Sequence, residues 1–133
     1  MQAVTITTDG ACVPNPGKGA WAAILRCGQA VKEIAGVEAA TTTNNRVELL
    51  AVAQALEALK SPCNVLVRSD SMIVVNLLNG TGKKPSKRAN QDLVQRVIKA
   101  MQPHQVRSVW VRGHNGDPDN ERCDQLAAQL VIQ

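Results

Sequence analysis

An apolar stripe at helical spacing constrains the fold of this chain more than any other feature. It lies in residues 42–60, which contain neither glycine nor proline and are rich in alanine, leucine and glutamate, residues that favour helix. Asn44 or Asn45 can cap this helix, and we expect Glu48 in its first turn, near the positive end of the helix dipole. The stripe repeats every three or four residues and should face a core; it consists of Leu49, Val52, Ala53, Leu56 and Leu59.

Short β-branched and apolar runs on both sides of this helix predict a sheet. The first run ends at Asp9-Gly10, a tight turn at Gly28-Gln29 joins the second to the third, and the fourth is apolar enough to be buried on both faces. Strands followed by a strand–helix–strand passage indicate a mixed sheet with helices packed on it. The predicted strands are residues 4–8, 20–27, 31–37, 65–67 and 106–111, and the further helices are residues 72–78, one from Asn90 to Pro103, and one capped by Asp119 or Asn120.

Composition limits the class of protein. The chain has 133 residues, of which 44% are hydrophobic and 20% are charged, which favours one soluble globular domain with an aliphatic core, because Trp21 and Trp110 are the only aromatic residues. The net charge of +4 weakly favours a polyanionic partner. Four scattered cysteines without a CxxC pair argue against zinc and for a reduced, cytoplasmic protein. We find no signal peptide, membrane-length apolar run, repeat or coiled coil, so we expect a monomer with no membrane or protein partner.

Four acidic residues fall at the predicted ends of elements: Asp9, Glu48, Asp70 and Asp124. If the first and fourth strands are parallel neighbours, Asp9 and Asp70 emerge at the edge where open α/β sheets place their ligands. Clustered carboxylates without a partner are costly, so such a group suits a hard divalent cation such as Mg²⁺. Taken singly, three of the four have an ordinary structural explanation: a turn at Asp9, a helix cap at Asp70 and a dipole complement at Glu48.

Four segments stand in a characteristic order and spacing: Thr8–Cys12 with Asn15-Pro16-Gly17, Thr42–Leu49, Ser69-Asp70-Ser71, and Trp110–His114 through Asn120–Asp124 with Leu126-Ala127. Together they resemble the type 1 ribonuclease H family, and the resemblance covers almost the whole chain. It implies a five-stranded mixed β-sheet flanked by helices on both faces, forming one ribonuclease H catalytic domain over residues 1–133. It also implies endonucleolytic cleavage of the RNA strand of an RNA–DNA hybrid, largely independent of sequence, with two Mg²⁺ or Mn²⁺ ions and with 5′-phosphate and 3′-hydroxyl ends.

The same resemblance implies residue roles. Asp9, Glu48, Asp70 and Asp124 match the family's metal-binding carboxylates, and His114 matches its mobile catalytic histidine. Contacts to RNA 2′-hydroxyl groups, which distinguish RNA from DNA, are implied for Glu48 and for four further positions. Those positions are Asn15, Asn44, Asn45 and the backbone of Cys12. Thr43 and Asn90 match part of a pocket for a phosphate of the DNA strand.

The chain departs from longer bacterial relatives in its shortened basic region. The segment 79–90 is much shorter than the matching region of those relatives. No aromatic residue lies between Trp21 and Trp110, so the aromatic residue that stacks on the DNA strand in the family has no counterpart in that region. Thr41 stands where the phosphate pocket usually has arginine. We expect Lys83, Lys84, Lys87 and Arg88 to supply part of the basic surface. Because of the other two changes, we expect hybrid binding to be weaker and more dependent on salt than in the longer relatives. Two alternatives stay open: a metal-dependent nuclease for DNA junctions or ends, and a catalytically silent nucleic-acid-binding module.

Overall fold

The computed structural model describes residues 1–82, 90–113 and 115–132, and these contain five strands and four helices in the predicted order. The basic residues Lys83, Lys84, Lys87 and Arg88, and also His114, lie outside the described residues. The strands are β1 (Gln2–Cys12), β2 (Gly17–Cys27), β3 (Ala30–Thr42), β4 (Cys63–Ser69) and β5 (Gln105–Trp110). The helices are α1 (Asn44–Glu57), α2 (Met72–Asn79), α3 (Gln91–Met101) and α4 (Pro118–Val131).

The five strands form one mixed sheet in the order β3-β2-β1-β4-β5. β1 is antiparallel to β2 and parallel to β4, and β4 is parallel to β5, so the predicted parallel pairing of the first and fourth strands is confirmed. The predicted turn at Gly28-Gln29 also forms, with Cys27 paired to Ala30. Gly28 has a φ of 59°, which glycine adopts without steric cost.

Helices cover both faces of the sheet. α1, α2 and α3 pack on one face and bury the main core, which includes Ile6, Leu49, Val67 and Val97. α4 packs on the other face of β1 and β2 over a second cluster made mostly of small side chains. That cluster consists of Ala20, Ala22, Ile24, Cys123, Ala127 and Val131. No helix in the described part of the chain is long and apolar enough to cross a membrane.

α1 is buried more completely than its stripe predicted. The predicted residues Leu49, Val52, Ala53 and Leu56 are buried, but Leu59 lies beyond the helix end, and five further residues of α1 are buried. The predicted caps Asn44 and Asn45 are wrong, because Thr43 is the N-cap and its Oγ1 accepts a hydrogen bond from the Arg46 amide at 3.3 Å. Glu48 therefore lies in the second turn instead of the first. The additional buried residues are Val47, Glu48, Leu50, Ala51 and Ala55.

Several strand predictions were too short because pairing with neighbours carries the strands past their apolar runs. β1 continues to Cys12 against β2, so Asp9 lies inside the strand rather than at its end. β3 extends to Thr42. β4 is buried on one face only, because Leu66 and Arg68 are partly exposed. At α4 the predicted caps were wrong, since Asp117 accepts a hydrogen bond from the Asn120 amide at 3.1 Å and caps the helix.

Ion pairs fasten α4 to the sheet. Arg68, on β4, makes an ion pair with Asp117 and donates a hydrogen bond to the Thr7 hydroxyl at 3.2 Å, so one arginine joins two strands and the cap of α4. The carboxylate of Asp117 thus serves both the helix cap and the ion pair. These polar contacts add to the apolar contact that α4 makes through Cys123, Ala127 and Val131. Two more pairs join the same helix to the sheet: Arg26 with Asp119 and Arg122 with Glu33.

We predict that Arg68→Met lowers the free energy of unfolding by about 1 kcal/mol, since a half-buried charged hydrogen bond is worth more than an exposed pair. Urea denaturation at low salt measures this change. Arg122→Met is the matched control, because its pair with Glu33 is more exposed and should matter much less. Equal losses in the two variants would show that the Arg68 contact has no special weight.

Candidate active site

Three carboxylates from separate elements converge at one end of the sheet. Asp9 on β1, Glu48 on α1 and Asp70 immediately after β4 each offer an oxygen, and these oxygens lie within 4.8 Å of one another. They line a polar cleft of about 380 Å³. The cleft is also lined by Gly10, Asn44, Asn45, Ser71 and Asp124.

The close approach of β1 to α1 brings Asp9 to Glu48. Gly10 makes this approach possible, because a Cβ there would lie 2.7 Å from the Val47 side chain and 3.1 Å from the Glu48 amide. With no side chain in the way, the Gly10 amide donates hydrogen bonds to Asp9 Oδ1 at 2.9 Å and to Glu48 Oε1 at 3.2 Å. One backbone amide therefore orients two of the carboxylates.

Asp70 is held by the turn between β4 and α2 and by the segment that follows β5. Ser71 caps α2, and its amide donates to the Ser69 hydroxyl at 3.0 Å. The indole nitrogen of Trp110 donates to the Asp70 carbonyl oxygen at 3.1 Å. Gly113 lies so close that a Cβ there would be 2.7 Å from Asp70 Oδ2. The carboxylate of Asp70 is thus confined on one side by a residue that has no side chain.

Asp124 reaches the same cleft from α4 but does not belong to the tight group of three. Its neighbour Cys123 is buried against β1 and donates to the Thr7 carbonyl oxygen at 3.3 Å. Burial raises the pKa of Cys123 to about 12, so this thiol stays neutral and acts as a packing residue. The position of Asp124 therefore depends on how α4 is attached to the sheet.

Burial and mutual repulsion disfavour ionisation of the cluster. Burial, and then the charge of Asp70, raise the pKa of Asp9 to about 7. Burial, followed by the charge of Asp9, raises the pKa of Glu48 well above its ordinary value. Both shifts mean that the protein alone does not compensate the negative charge it gathers here.

The donor set fits a hard divalent cation. Glu48 Oε2 is buried and has no hydrogen-bond partner among the described residues, which is unfavourable unless another group binds it. Grouped carboxylate oxygens are the ligands that Mg²⁺ and Mn²⁺ prefer, and a cation would also relieve the repulsion that raises the two pKa values. The cluster therefore has the composition and the unmet electrostatic demand of a metal site.

Predicted substrate-contact residues gather around the start of α1. The Asn44 amide donates to Asn15 Oδ1 at 3.2 Å, which ties the loop between β1 and β2 to the helix. Cys12 donates its thiol hydrogen to the carbonyl oxygens of Pro14 and Thr42 at 3.3 and 3.4 Å. Asn45 is exposed and lines the cleft.

Thr43 and Asn90, the predicted phosphate-pocket residues, are the N-caps of α1 and α3. A bidentate contact between Arg46 and Asp92, at 2.9 and 2.8 Å, joins the first turns of these helices. The Thr43 hydroxyl already accepts the Arg46 amide, whereas Asn90 has a φ of 62° and makes no side-chain cap. The cap position predicted for Asn90 is confirmed, but its side chain does not perform the capping.

Sequence reasoning missed the supporting residues of the cluster. Gly10, Ser71, Trp110 and Gly113 fall within the quoted segments, yet none was assigned a role at the site. Gly10 directly follows Asp9, and Gly113 directly precedes His114. These glycines were the available signal of supporting positions, because glycine often marks a close backbone approach.

A five-stranded mixed sheet with helices on both faces, and carboxylates clustered where β1 and β4 part, defines a ribonuclease H-type nuclease fold. A sequence model of the RNase H family matches residues 1–132. The ribonuclease H of Novosphingobium aromaticivorans is 48% identical over 142 residues, covering 99% of both chains, and that of Acidiphilium cryptum is 50% identical over 134 residues, covering 93% of this chain and 83% of its own. The chain belongs to the ribonuclease H family and is a divalent-metal-dependent nuclease.

Solved structures share the fold. The RNase H1 from the halophilic archaeon Halobacterium salinarum superposes with a TM-score of 0.80 at 26% identity and covers 98% of both chains. LC11-RNase H1 in complex with an RNA/DNA hybrid superposes with a TM-score of 0.80 at 20% identity, covering 97% of this chain and 96% of its own. The predicted fold class is therefore confirmed.

The raised pKa values of Asp9 and Glu48 predict how metal-free stability depends on pH. The folded protein holds protons that the unfolded chain has lost above about pH 4, so this contribution to stability falls as pH rises towards 7. We expect Asp9→Asn to flatten this dependence. It should also raise the free energy of unfolding at pH 8 in chelator by a few kcal/mol, because a shift of about three pKa units at roughly 1.4 kcal/mol per unit sets an upper bound of about 4 kcal/mol.

Chemical denaturation from pH 5 to pH 8, with chelator and then with Mg²⁺, measures this effect. Mg²⁺ should stabilise the wild type more than Asp9→Asn at pH 8. Glu121→Gln is the control, because Glu121 is exposed and should leave the pH dependence unchanged. Parallel stability curves for Asp9→Asn and the wild type would contradict the electrostatic account of the cluster.

Proposed function

We propose that residues 1–133 form one ribonuclease H catalytic domain that hydrolyses the RNA strand of RNA–DNA hybrids. The observation that carries the proposal is the cluster of Asp9, Glu48 and Asp70, in which one buried oxygen of Glu48 has no hydrogen-bond partner among the described residues. A fold-related protein, LC11-RNase H1, was solved in complex with an RNA/DNA hybrid, which supports the choice of substrate class. We propose cleavage that is largely independent of sequence and leaves 5′-phosphate and 3′-hydroxyl ends.

Four carboxylates are assigned to two divalent ions, with Mg²⁺ as the first choice and Mn²⁺ as an alternative. Asp9, Glu48 and Asp70 would hold the ions through their tight group of oxygens, and Asp124 would add a fourth carboxylate from the same cleft. Bound divalent ions supply a lowered pKa for the attacking water and neutralise charge that develops on the phosphoryl oxygens. This chain supplies the orientation: the Gly10 amide fixes Asp9 and Glu48, and Trp110 and Gly113 confine Asp70.

RNA selectivity is assigned to the short polar groups beside the cluster. Asn44 and Asn45 line the same cleft, and the backbone N–H of Asn44 donates a hydrogen bond to the side-chain oxygen of Asn15. Amide side chains both donate and accept hydrogen bonds, as a 2′-hydroxyl requires. Together with the Cys12 backbone, they would read the sugar of the strand that is cut, and Glu48 would contribute to both tasks.

Binding of the DNA strand of the hybrid is assigned to the N-termini of α1 and α3. Thr43 and Asn90 occupy the N-cap positions of α1 and α3, whose first turns are joined by Arg46 and Asp92, so a phosphate of the DNA strand would bind between them. His114 is proposed to assist water positioning or product release. We also propose that the enzyme acts as a cytoplasmic monomer.

A cleavage assay with four end-labelled substrates of one sequence tests the proposed function: RNA–DNA hybrid, RNA duplex, DNA duplex and single-stranded RNA. Metal-dependent cutting of only the RNA strand of the hybrid is expected. Asp70→Asn should abolish this cutting but retain hybrid binding, because it removes a metal ligand and leaves the basic surface intact. Glu121→Gln is the matched control, since it changes an exposed carboxylate and should cut normally. Cutting of DNA would instead favour the junction nuclease, and turnover near wild type by Asp70→Asn would overturn the site.

The basic residues of the shortened region are predicted to bind substrate. Replacing Lys83, Lys84, Lys87 and Arg88 together by alanine should raise KM and flatten its salt dependence, with little change in kcat, because phosphate contacts release counterions. Steady-state kinetics at several salt concentrations measure both effects. A variant with alanine at exposed Lys32, Lys60, Lys99 and Arg107 removes the same number of charges and controls for net charge. An unchanged KM would show that this region does not contact substrate.

A further inference from the structure

Trp110 presents an aromatic ring at the surface beside the carboxylate cluster. It is the last residue of β5, it pairs in register with Ser69, and it is 51% exposed. The chain has no phenylalanine or tyrosine, and its other tryptophan, Trp21, is 7% exposed within the main core. Trp110 is therefore the only aromatic residue of this chain that can contact a partner with much of its ring.

The ring is fixed relative to Asp70. Its indole nitrogen donates to the Asp70 carbonyl oxygen at 3.1 Å, and the Val111 amide donates to the Ser69 carbonyl oxygen at 2.9 Å. Gly113, three residues after Trp110, lies against the Asp70 carboxylate. A side chain held in this way loses little conformational freedom when a partner binds, so its apolar surface contributes efficiently to affinity.

The surroundings of Trp110 suit a nucleic acid strand. Met72, two residues after Asp70 and the first residue of α2, is 50% exposed and adds apolar surface beside the cleft. Arg112 is exposed and has no ion pair among residues 1–82, 90–113 and 115–132. Trp110 and Arg112 are two residues apart in sequence, and together they offer an exposed aromatic ring and a positive charge that has no ion pair within the described ranges. Aromatic surface and positive charge are the two features that bind a sugar–phosphate backbone.

We propose that Trp110 is a substrate-contact residue, whose exposed ring packs on a sugar of the nucleic acid strand next to the cluster. This inference rests on the proposed function and names a contact outside its assigned residues. Bases are paired and stacked inside a duplex, so the ring meets the sugar edge of the groove instead of a base face. The position of the ring also explains how a chain with no aromatic residue between Trp21 and Trp110 retains an aromatic contact to its substrate.

The test measures binding without cleavage, with Ca²⁺ in place of Mg²⁺ and intact substrate verified on a gel. Hybrid should protect the tryptophan fluorescence from acrylamide quenching, because the exposed ring dominates quenching in the free protein. Trp110→Leu should weaken hybrid binding about tenfold, or roughly 1.4 kcal/mol. Trp110→Phe keeps a ring but loses the hydrogen bond to Asp70, and should weaken binding only a few fold.

Val31→Ala is the matched control, since Val31 is a 50% exposed apolar residue on the β2–β3 hairpin and should leave binding unchanged. Circular dichroism and thermal unfolding check each variant, and Trp110→Phe retains the test if Trp110→Leu does not fold. Unchanged affinity in both Trp110 variants, with no protection from quenching, would overturn the inference. Failure of the proposed function would instead be seen in the wild type alone, as absence of hybrid cleavage in Mg²⁺.

Discussion

The parallel pairing of β1 with β4 is the interaction on which the site depends. The pairing runs from Gln2 with Cys63 to Thr7 with Arg68 and then stops, while β1 continues against β2. At the point where the strands part, Asp9 is still held in the sheet and Asp70 begins the turn into α2. Two carboxylates from distant parts of the chain are thereby brought together by backbone hydrogen bonds, which side-chain repulsion cannot easily break.

The third carboxylate shows how the core supports an unfavourable arrangement. Glu48 sits on a helix that is buried around most of its circumference, and the absence of a side chain at Gly10 lets β1 approach it. Burial raises the pKa of both Glu48 and Asp9, so the metal-free cluster costs stability at neutral pH. The apolar contacts of α1 offset that cost, and a bound cation would remove much of it.

The fourth carboxylate has a different kind of support. Asp124 is carried by α4, which rests on small residues and is attached through ion pairs, one of them joining Arg68 to the helix cap Asp117. Polar contacts of this kind respond to salt more than an apolar interface does. The cleft therefore combines a tight group of three carboxylates with a fourth on α4, a helix attached by both apolar contacts and ion pairs.

The sequence by itself determined the order of the elements, the apolar face of α1 and the identity of the four acidic residues, because helical spacing, β-branched runs and motif spacing are local properties. The length of β1 and β3, the caps Thr43 and Asp117 and the one-sided burial of β4 depended on pairing with distant strands. The positions of Gly10 and Gly113 beside acidic or motif residues hinted at a close approach, but which groups they approach also depended on the tertiary structure. Only the tertiary structure decided how close the carboxylates lie and which supporting groups touch them, since a distance between residues such as Asp9 and Glu48 is set by packing and not by their separation in sequence.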